Sequence, residues 1–274
     1  MDSITSLTST TASPGHGINP FTKRFVAFVD ILGFTEIVNG MVSGKNNDFQ
    51  NIRDALSTID KQVEGFDEYR RLCAPLPAPR VSLLPPSDVT MTAFSDCYLI
   101  SEGSEEPDTG EEVPPWRLMA AVQALGADLL AKNILTRGAI VRGDAFHEDR
   151  VAFGPAIIEA INIEKDVAKY PRIVVTPEVC EAISCENATM WNEQLLLRDT
   201  DGCSFINVLT PPLSKWTVIN ANPERDLREF LTGVREILLK RIAAVQGLRH
   251  ETKIRWLIHH FNDAAEWHGL KIEI

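Results

Sequence analysis

RFVAFVDILGFT, residues 24–35, is the stretch on which the fold turns. Its first eight residues, Arg24 to Ile31, are mostly apolar, β-branched or aromatic, which predicts a short central strand. The run stops at Leu32-Gly33, where glycine permits a turn, and helical spacing follows from Phe34. Asp30 therefore ends an apolar strand.

Downstream, VTMTAF (89–94) and CYLIS (97–101) are two β-type runs joined by Ser95-Asp96, a spacing that predicts a hairpin with Asp96 at its tip. GSEEPDTGEE (103–112) reads as an acidic, solvated loop. Pro115 opens a helix that runs to about Lys132, with Leu118, Ala121, Val122, Leu125, Leu129 and Leu130 as its buried stripe. Residues 134–154 predict two strands around a turn. GPAIIEAINIEKDVAKY (154–170) predicts a helix through Ala156, Ala160, Ile163 and Val167, and RIVVT (172–176) a further strand. The order βαββαββαβ implies an α/β chain of the α+β sandwich kind, with helices on one mostly antiparallel sheet.

Between these elements, 34–72 predicts two helical stretches broken near Gly44-Lys45-Asn46-Asn47, and APLPAPRVSLLPP (74–86) is too proline-rich for an element interior. Weaker strands are expected at 194–198 and 203–208. Leu227, Leu231, Val234, Leu238 and Ile242 then mark a long amphipathic helix, and 250–268 a second. Three regions follow: a mobile N-terminal tail at 1–20, a folded domain at 21–210 and a C-terminal helical extension at 211–274. No internal repeat is visible.

With 44% hydrophobic and 24% charged residues in 274, the chain has the composition of a folded soluble protein, not a disordered or collagen-like one. Against 27 Lys+Arg stand 38 Asp+Glu, a net charge of -11, which excludes a surface built to neutralise a long phosphate backbone. A single nucleotide held by backbone amides and a divalent metal is compatible with that charge. Apolar runs fall short of a membrane span, and residues 1–20 carry no secretion-signal pattern. The five scattered cysteines include no CxxC pair, so neither a disulfide framework nor a zinc site is expected, and the compartment reads as cytoplasmic.

The candidate chemistry lies at Asp30 and Asp96, which neighbouring strands would bring together. Two close carboxylates repel unless a cation neutralises them, and oxygen-only ligands favour Mg2+ or Mn2+. FVDILGFT (28–35), FSDCY (94–98), RGAIVRG (137–143) and FGPAIIEAINIE (153–164), in that order, resemble the class III nucleotide cyclase family over about residues 24–176. The resemblance implies a ferredoxin-like βαββαβ core in 21–210 as the catalytic domain. It also implies two Mg2+ or Mn2+ ions per site on Asp30, Asp96 and the backbone of Ile31, with the amides of Ile31, Leu32, Gly33, Phe34 and Thr35 on the triphosphate. A homodimer with shared sites is implied as well.

Departures from the family pattern are equally specific. The base-reading places are Thr92 and Val151, and the transition-state Asn and Arg would fall on Ile158 and Asn162. The purine-edge reader is thus missing. Arg137, Arg142 and Lys165 are the candidate replacement cations. With these features the chain resembles the pyrimidine cyclases of bacterial Pycsar antiphage systems, implying UTP as substrate, cyclic UMP as product and a separate effector activated by it. Alternatives are a cytidylate cyclase, an adenylyl or guanylyl cyclase, and a noncatalytic nucleotide-binding sensor. An RNA-binding module is disfavoured by charge and by the lack of a stacking aromatic motif. His250, His259, His260 and His268 fit no metal spacing and read as surface or interface residues. Cys97 reads as a core thiol, and the Leu227–Ile242 stripe as core or dimer packing.

Overall fold

A computed structural model describes residues 19–45, 49–50, 53, 89–105, 110–148, 150–183, 195–210 and 223–274. Strand β1 (Thr22–Leu32) is longer than expected by two residues at the front and one at the back, and it leads through Gly33 into α1 (Phe34–Val42). After the hairpin of β2 (Thr90–Phe94) and β3 (Cys97–Gly103) come α2 (Trp116–Ala131), β4 (Leu135–Glu148), β5 (Val151–Phe153) and α3 (Pro155–Asp166). Then follow β6 (Ile173–Val175), α4 (Pro177–Ile183), β7 (Leu196–Arg198), β8 (Ser204–Ile206), α5 (Pro223–Val245) and α6 (Glu251–Trp267). The tail at 1–18, the second helical stretch before residue 72 and the proline-rich loop at 74–86 lie outside the described residues.

The sheet runs β2-β3-β1-β4-β6-β8-β7, and every pairing is antiparallel except β4 with β6. Its first four strands give the βαββαβ order expected, with β1 in the middle. Even and odd positions of β1 face opposite layers, as strand geometry requires. Phe25, Ala27, Val29 and Ile31 join Tyr98 and Ile100 under the α2 residues Leu118, Val122, Leu125 and Leu129. Val26, on the other face, packs with Val141, Ala156, Ile157 and Ala160 beneath α3. Asp30 shares parity with Val26 and Phe28, so it belongs to the α3 face.

The C-terminal pair α5 and α6 forms a second core. Leu231, Val234, Leu238, Leu257 and Phe261 bury against Leu130 and Leu135, and Leu32 at the end of β1 packs beside them. The Leu227–Ile242 stripe is core within the chain. A polar clamp at α6 fixes the docking: buried Arg172 pairs with Asp199 and Asp201, Trp256 donates its indole N–H to Asp199 at 2.8 Å, and Tyr170 stacks on Trp256 at 5.3 Å. His260, expected at a surface or interface, is buried edge-on to Phe205 and Trp256. No helix among the described residues is long and apolar enough to cross a membrane.

Candidate active site

The ladder sets Asp30 opposite Cys97 of β3 on one side and Arg137 of β4 on the other. One residue on, the Ile31 N–H donates to the Asp96 carbonyl at 2.9 Å. That bond fastens the hairpin tip to the end of β1 and keeps Asp96 next to Asp30. Ser95, before it, sits at φ 57, the left-handed region that L residues adopt at a cost. Burial pushes the Asp30 carboxyl above its ordinary value; Arg137 opposes that shift and the Asp96 charge adds to it. The two carboxylates therefore share one field.

Arg137 donates its Nε–H to Asp30 Oδ2 at 3.2 Å and also pairs with Glu164 of α3. Next to it, Gly138 lets β4 approach β1: a Cβ there would stand 2.2 Å from the Phe28 carbonyl oxygen, closer than any side chain permits. Glu164 is buried, and burial raises its carboxyl while Arg137 lowers it. Lys253 of α6 adds its charge to the same group, so the C-terminal extension reaches this cluster electrostatically.

At the turn, Gly33 takes φ 76 and the first bond within α1 is Ile37 N–H to the Gly33 carbonyl at 3.1 Å. No side chain caps α1, so the amides of Phe34 and Thr35 lie at a helix N-terminus with no acceptor inside the helix. One expectation is corrected here: the Ile31 amide is committed to Asp96, so it does not join a phosphate cradle with Leu32, Gly33, Phe34 and Thr35. Glu36, in the first turn, brings Oε2 within 3.7 Å of where a Gly33 Cβ would be.

The other sequence candidates stand elsewhere in this chain. Thr92 lies two strands from β1, level with Phe28 through Leu99, and its hydroxyl bonds His147 Nε2 at 2.9 Å. His147 Nδ1 in turn bonds Ser101 Oγ at 2.8 Å, and Ser101 accepts from Arg24 Nε at 2.9 Å. Burial, reinforced by the Arg24 charge, lowers His147 to about 4, so the ring is neutral near pH 7. Val151 on β5 and Ile158 on α3 are exposed, as is Asn162. Arg142 is bound to Glu112 at 2.6 Å and lies over Phe25; Lys165 is exposed in the last turn of α3. Of the three candidate cations only Arg137 meets Asp30. Cys97 is half-buried, not core, and donates to the Phe94 carbonyl at 3.1 Å.

Two residues were missed in the sequence. Glu164 follows Ala156 and Ala160 at fourfold spacing, a carboxylate on the buried stripe of α3. His147 shares parity with Val141 and Ala145 on β4. Each pattern signals a polar group turned inward.

The donor chemistry fits a hard divalent cation. Asp30 and Asp96 offer carboxylate oxygens only, and among the described residues no group of three or more His, Cys, Asp or Glu forms a cage. A site of that kind takes one or two protein carboxylates and completes its shell with water and substrate phosphates, as Mg2+ sites do.

No protein-family model and no curated protein sequence matches this chain. Among solved structures, it aligns with the catalytic core of a rhodopsin-guanylyl cyclase with converted specificity, in complex with ATPαS, at 14% identity and TM-score 0.38, over 68% of this chain and 96% of that one. The guanylyl cyclase domain of the RhoGC fusion protein from the aquatic fungus Blastocladiella emersonii aligns at 14% identity and TM-score 0.38, over 68% and 94%. A bacterial light-regulated adenylyl cyclase aligns at 10% identity and TM-score 0.40, over 78% of this chain and 58% of that one.

Proposed function

We propose that this chain is a nucleotidyl cyclase that converts UTP to 3',5'-cyclic UMP and pyrophosphate. The observation that carries the reading is the joining of Asp30 and Asp96 by the Ile31 amide, beside Arg137 and the uncapped start of α1. Asp30 and Asp96 would hold Mg2+ or Mn2+, which supplies Lewis acidity to the ribose 3'-hydroxyl and to the triphosphate. The phosphate oxygens are received by the Phe34 and Thr35 amides, where donors and the helix dipole both favour negative charge. Arg137 adds a positive charge on the side where Asp30 lies. The ribose 3'-hydroxyl gives up its proton to water as its oxygen bonds to the α-phosphorus, the bond to the bridging oxygen of the β-phosphate breaks, and the electron pair leaves with pyrophosphate, which the α1 amides and Arg137 would help to hold.

A homodimer completes the site in this reading. Thr92 and Val151 stand apart from Asp30 in one chain, about 12 Å for Thr92 from strand spacing and rise. The exposed Phe94, Val151, Phe153, Ile158 and Ile161 support a second copy as their cover. Thr92 and Val151 lack the groups that read a purine edge, which supports a pyrimidine, and UTP follows from overall resemblance. Cyclic UMP would act as a messenger in antiphage defence, through a separate effector.

The test is incubation of the purified protein with each of the four ribonucleoside triphosphates and Mn2+, with products identified by mass. Cyclic UMP as chief product supports the reading. Predominant cyclic CMP moves the substrate to CTP, and cyclic AMP or GMP overturns the pyrimidine assignment. No cyclic product from any of the four favours a sensor that binds nucleotide without turnover.

A further inference from the structure

We propose that Glu164 is a positioning residue that takes Arg137 over from Asp30 when Asp30 ligates a divalent cation, an inference that rests on the metal assignment above. Arg137 Nε lies against both carboxylates, yet its geometry serves them unequally. The aligned hydrogen bond goes to Asp30 Oδ2 at 3.2 Å, whereas Glu164 Oε1 touches the same Nε as an ion pair, a closer but poorly aligned contact that leaves its bond incomplete. The Nε atom carries a single hydrogen, so an aligned bond to one oxygen leaves the other incomplete.

Burial makes that incompleteness matter. The Glu164 side chain is 7% exposed, against 18% for Asp30 and 28% for Arg137. A buried carboxylate oxygen with a misaligned donor is disfavoured, while the more exposed Asp30 has water to replace Arg137. Lys253 of α6 partly compensates the Glu164 charge in the meantime. The three groups thus form a relay with two arrangements. With Arg137 on Asp30, Glu164 waits; with a cation on Asp30, the Nε–H turns to Glu164 Oε1 and completes its bond. Without Glu164 the cation would have to displace an arginine that has no second carboxylate acceptor among the described residues. Glu164 therefore lowers the competition at Asp30 by acting through Arg137.

The experiment is titration of Mn2+ alone into the full chain, with free Mn2+ read by electron paramagnetic resonance. It is run on the wild type, Asp30→Asn, Glu164→Gln, Arg137→Gln and the Arg137→Gln/Glu164→Gln double variant. Glu164→Gln is expected to weaken Mn2+ binding about tenfold, as befits loss of one charged hydrogen-bond acceptor. Arg137→Gln is expected to tighten it, and adding Glu164→Gln to that background to change it by less than about twofold. An equal loss with and without Arg137 would show Glu164 acting through charge alone and overturn the proposal, as would wild-type affinity in Glu164→Gln. Should Glu164→Gln not fold, failure of Arg137→Gln to tighten binding overturns it independently. Unchanged binding in Asp30→Asn would instead overturn the metal assignment, and the proposal with it.

Discussion

Arg137 donates to Asp30 across 107 residues of sequence, so in the proposed composite site the arginine belongs to the same half as the aspartate. On the sequence alone Arg137 stands with Arg142 and Lys165 as a candidate replacement cation. The register of β1 against β4 places it directly opposite Asp30 in one chain. A mixture of Asp30→Ala and Arg137→Ala proteins is therefore expected to show no turnover beyond that of either alone, because both lesions fall in one half-site. Mixing Asp30→Ala with Thr92→Lys/Val151→Asp is expected to restore turnover through one intact composite site. Gel filtration of each mixture checks that dimers exchange. Recovery in the first mixture would move Arg137 to the other half.

Glu36 stands in the first turn of α1 near Gly33, where its carboxylate favours the helix N-terminus and, in the proposed function, opposes an arriving triphosphate. Glu36→Gln is expected to lower the KM for the triphosphate about two- to fivefold with little change in kcat, and to cost roughly 0.3–1 kcal/mol in a urea melt. An unchanged KM would place the triphosphate away from α1.

His147 gives the fold a pH signature. Its folded value, about 4, lies below 6.5 in the unfolded chain, so between those values the unfolded state binds more protons and stability rises with pH. The slope approaches about 1.4 kcal/mol per pH unit inside the window. His147→Gln is expected to flatten the pH 4 to 6.5 part of the stability curve, compared with the wild type by urea denaturation. A slope identical in both proteins would mean that the ring is protonated within the network.

Ser95 holds a left-handed backbone at the hairpin tip. Glycine adopts that conformation without the steric cost, so Ser95→Gly is expected to gain up to about 1 kcal/mol in the same denaturation assay. A loss would mean that the serine side chain contributes more than the strain it tolerates.

Local pattern carried most of the architecture. The β1 run, the 97–101 strand and the alanine spacing of α3 all appear where periodicity placed them, because each buries a face whose repeat is written in adjacent residues. The site was legible only in part. Asp30 stood out because it ends an apolar run and Asp96 because it falls at a hairpin tip, but their bond partners come from register, which sequence spacing leaves open. Thr92 meets His147 over 55 residues, through the reach of β4 past the start of β1, where Thr22 pairs with Ala145. Glu164 was hidden for another reason: a carboxylate among buried alanines reads as a stripe defect until Arg137 is placed beside it. The α6 clamp on Arg172 joins three separate segments and has no local signature.

In the proposed function Asp30 and Asp96 act together on a nucleoside triphosphate, and Asp96→Asn removes one of the two carboxylates. With Mn2+ and UTP, the wild type is expected to form cyclic UMP steadily and Asp96→Asn to lose roughly 10^3-fold or more in turnover, equivalent to about 4 kcal/mol of transition-state stabilisation. The variant should keep the wild-type circular dichroism spectrum, because the bond that anchors the tip uses the Asp96 backbone carbonyl and not its side chain. Near-normal turnover in a folded Asp96→Asn protein would mean that the Asp96 carboxylate takes no part in the reaction.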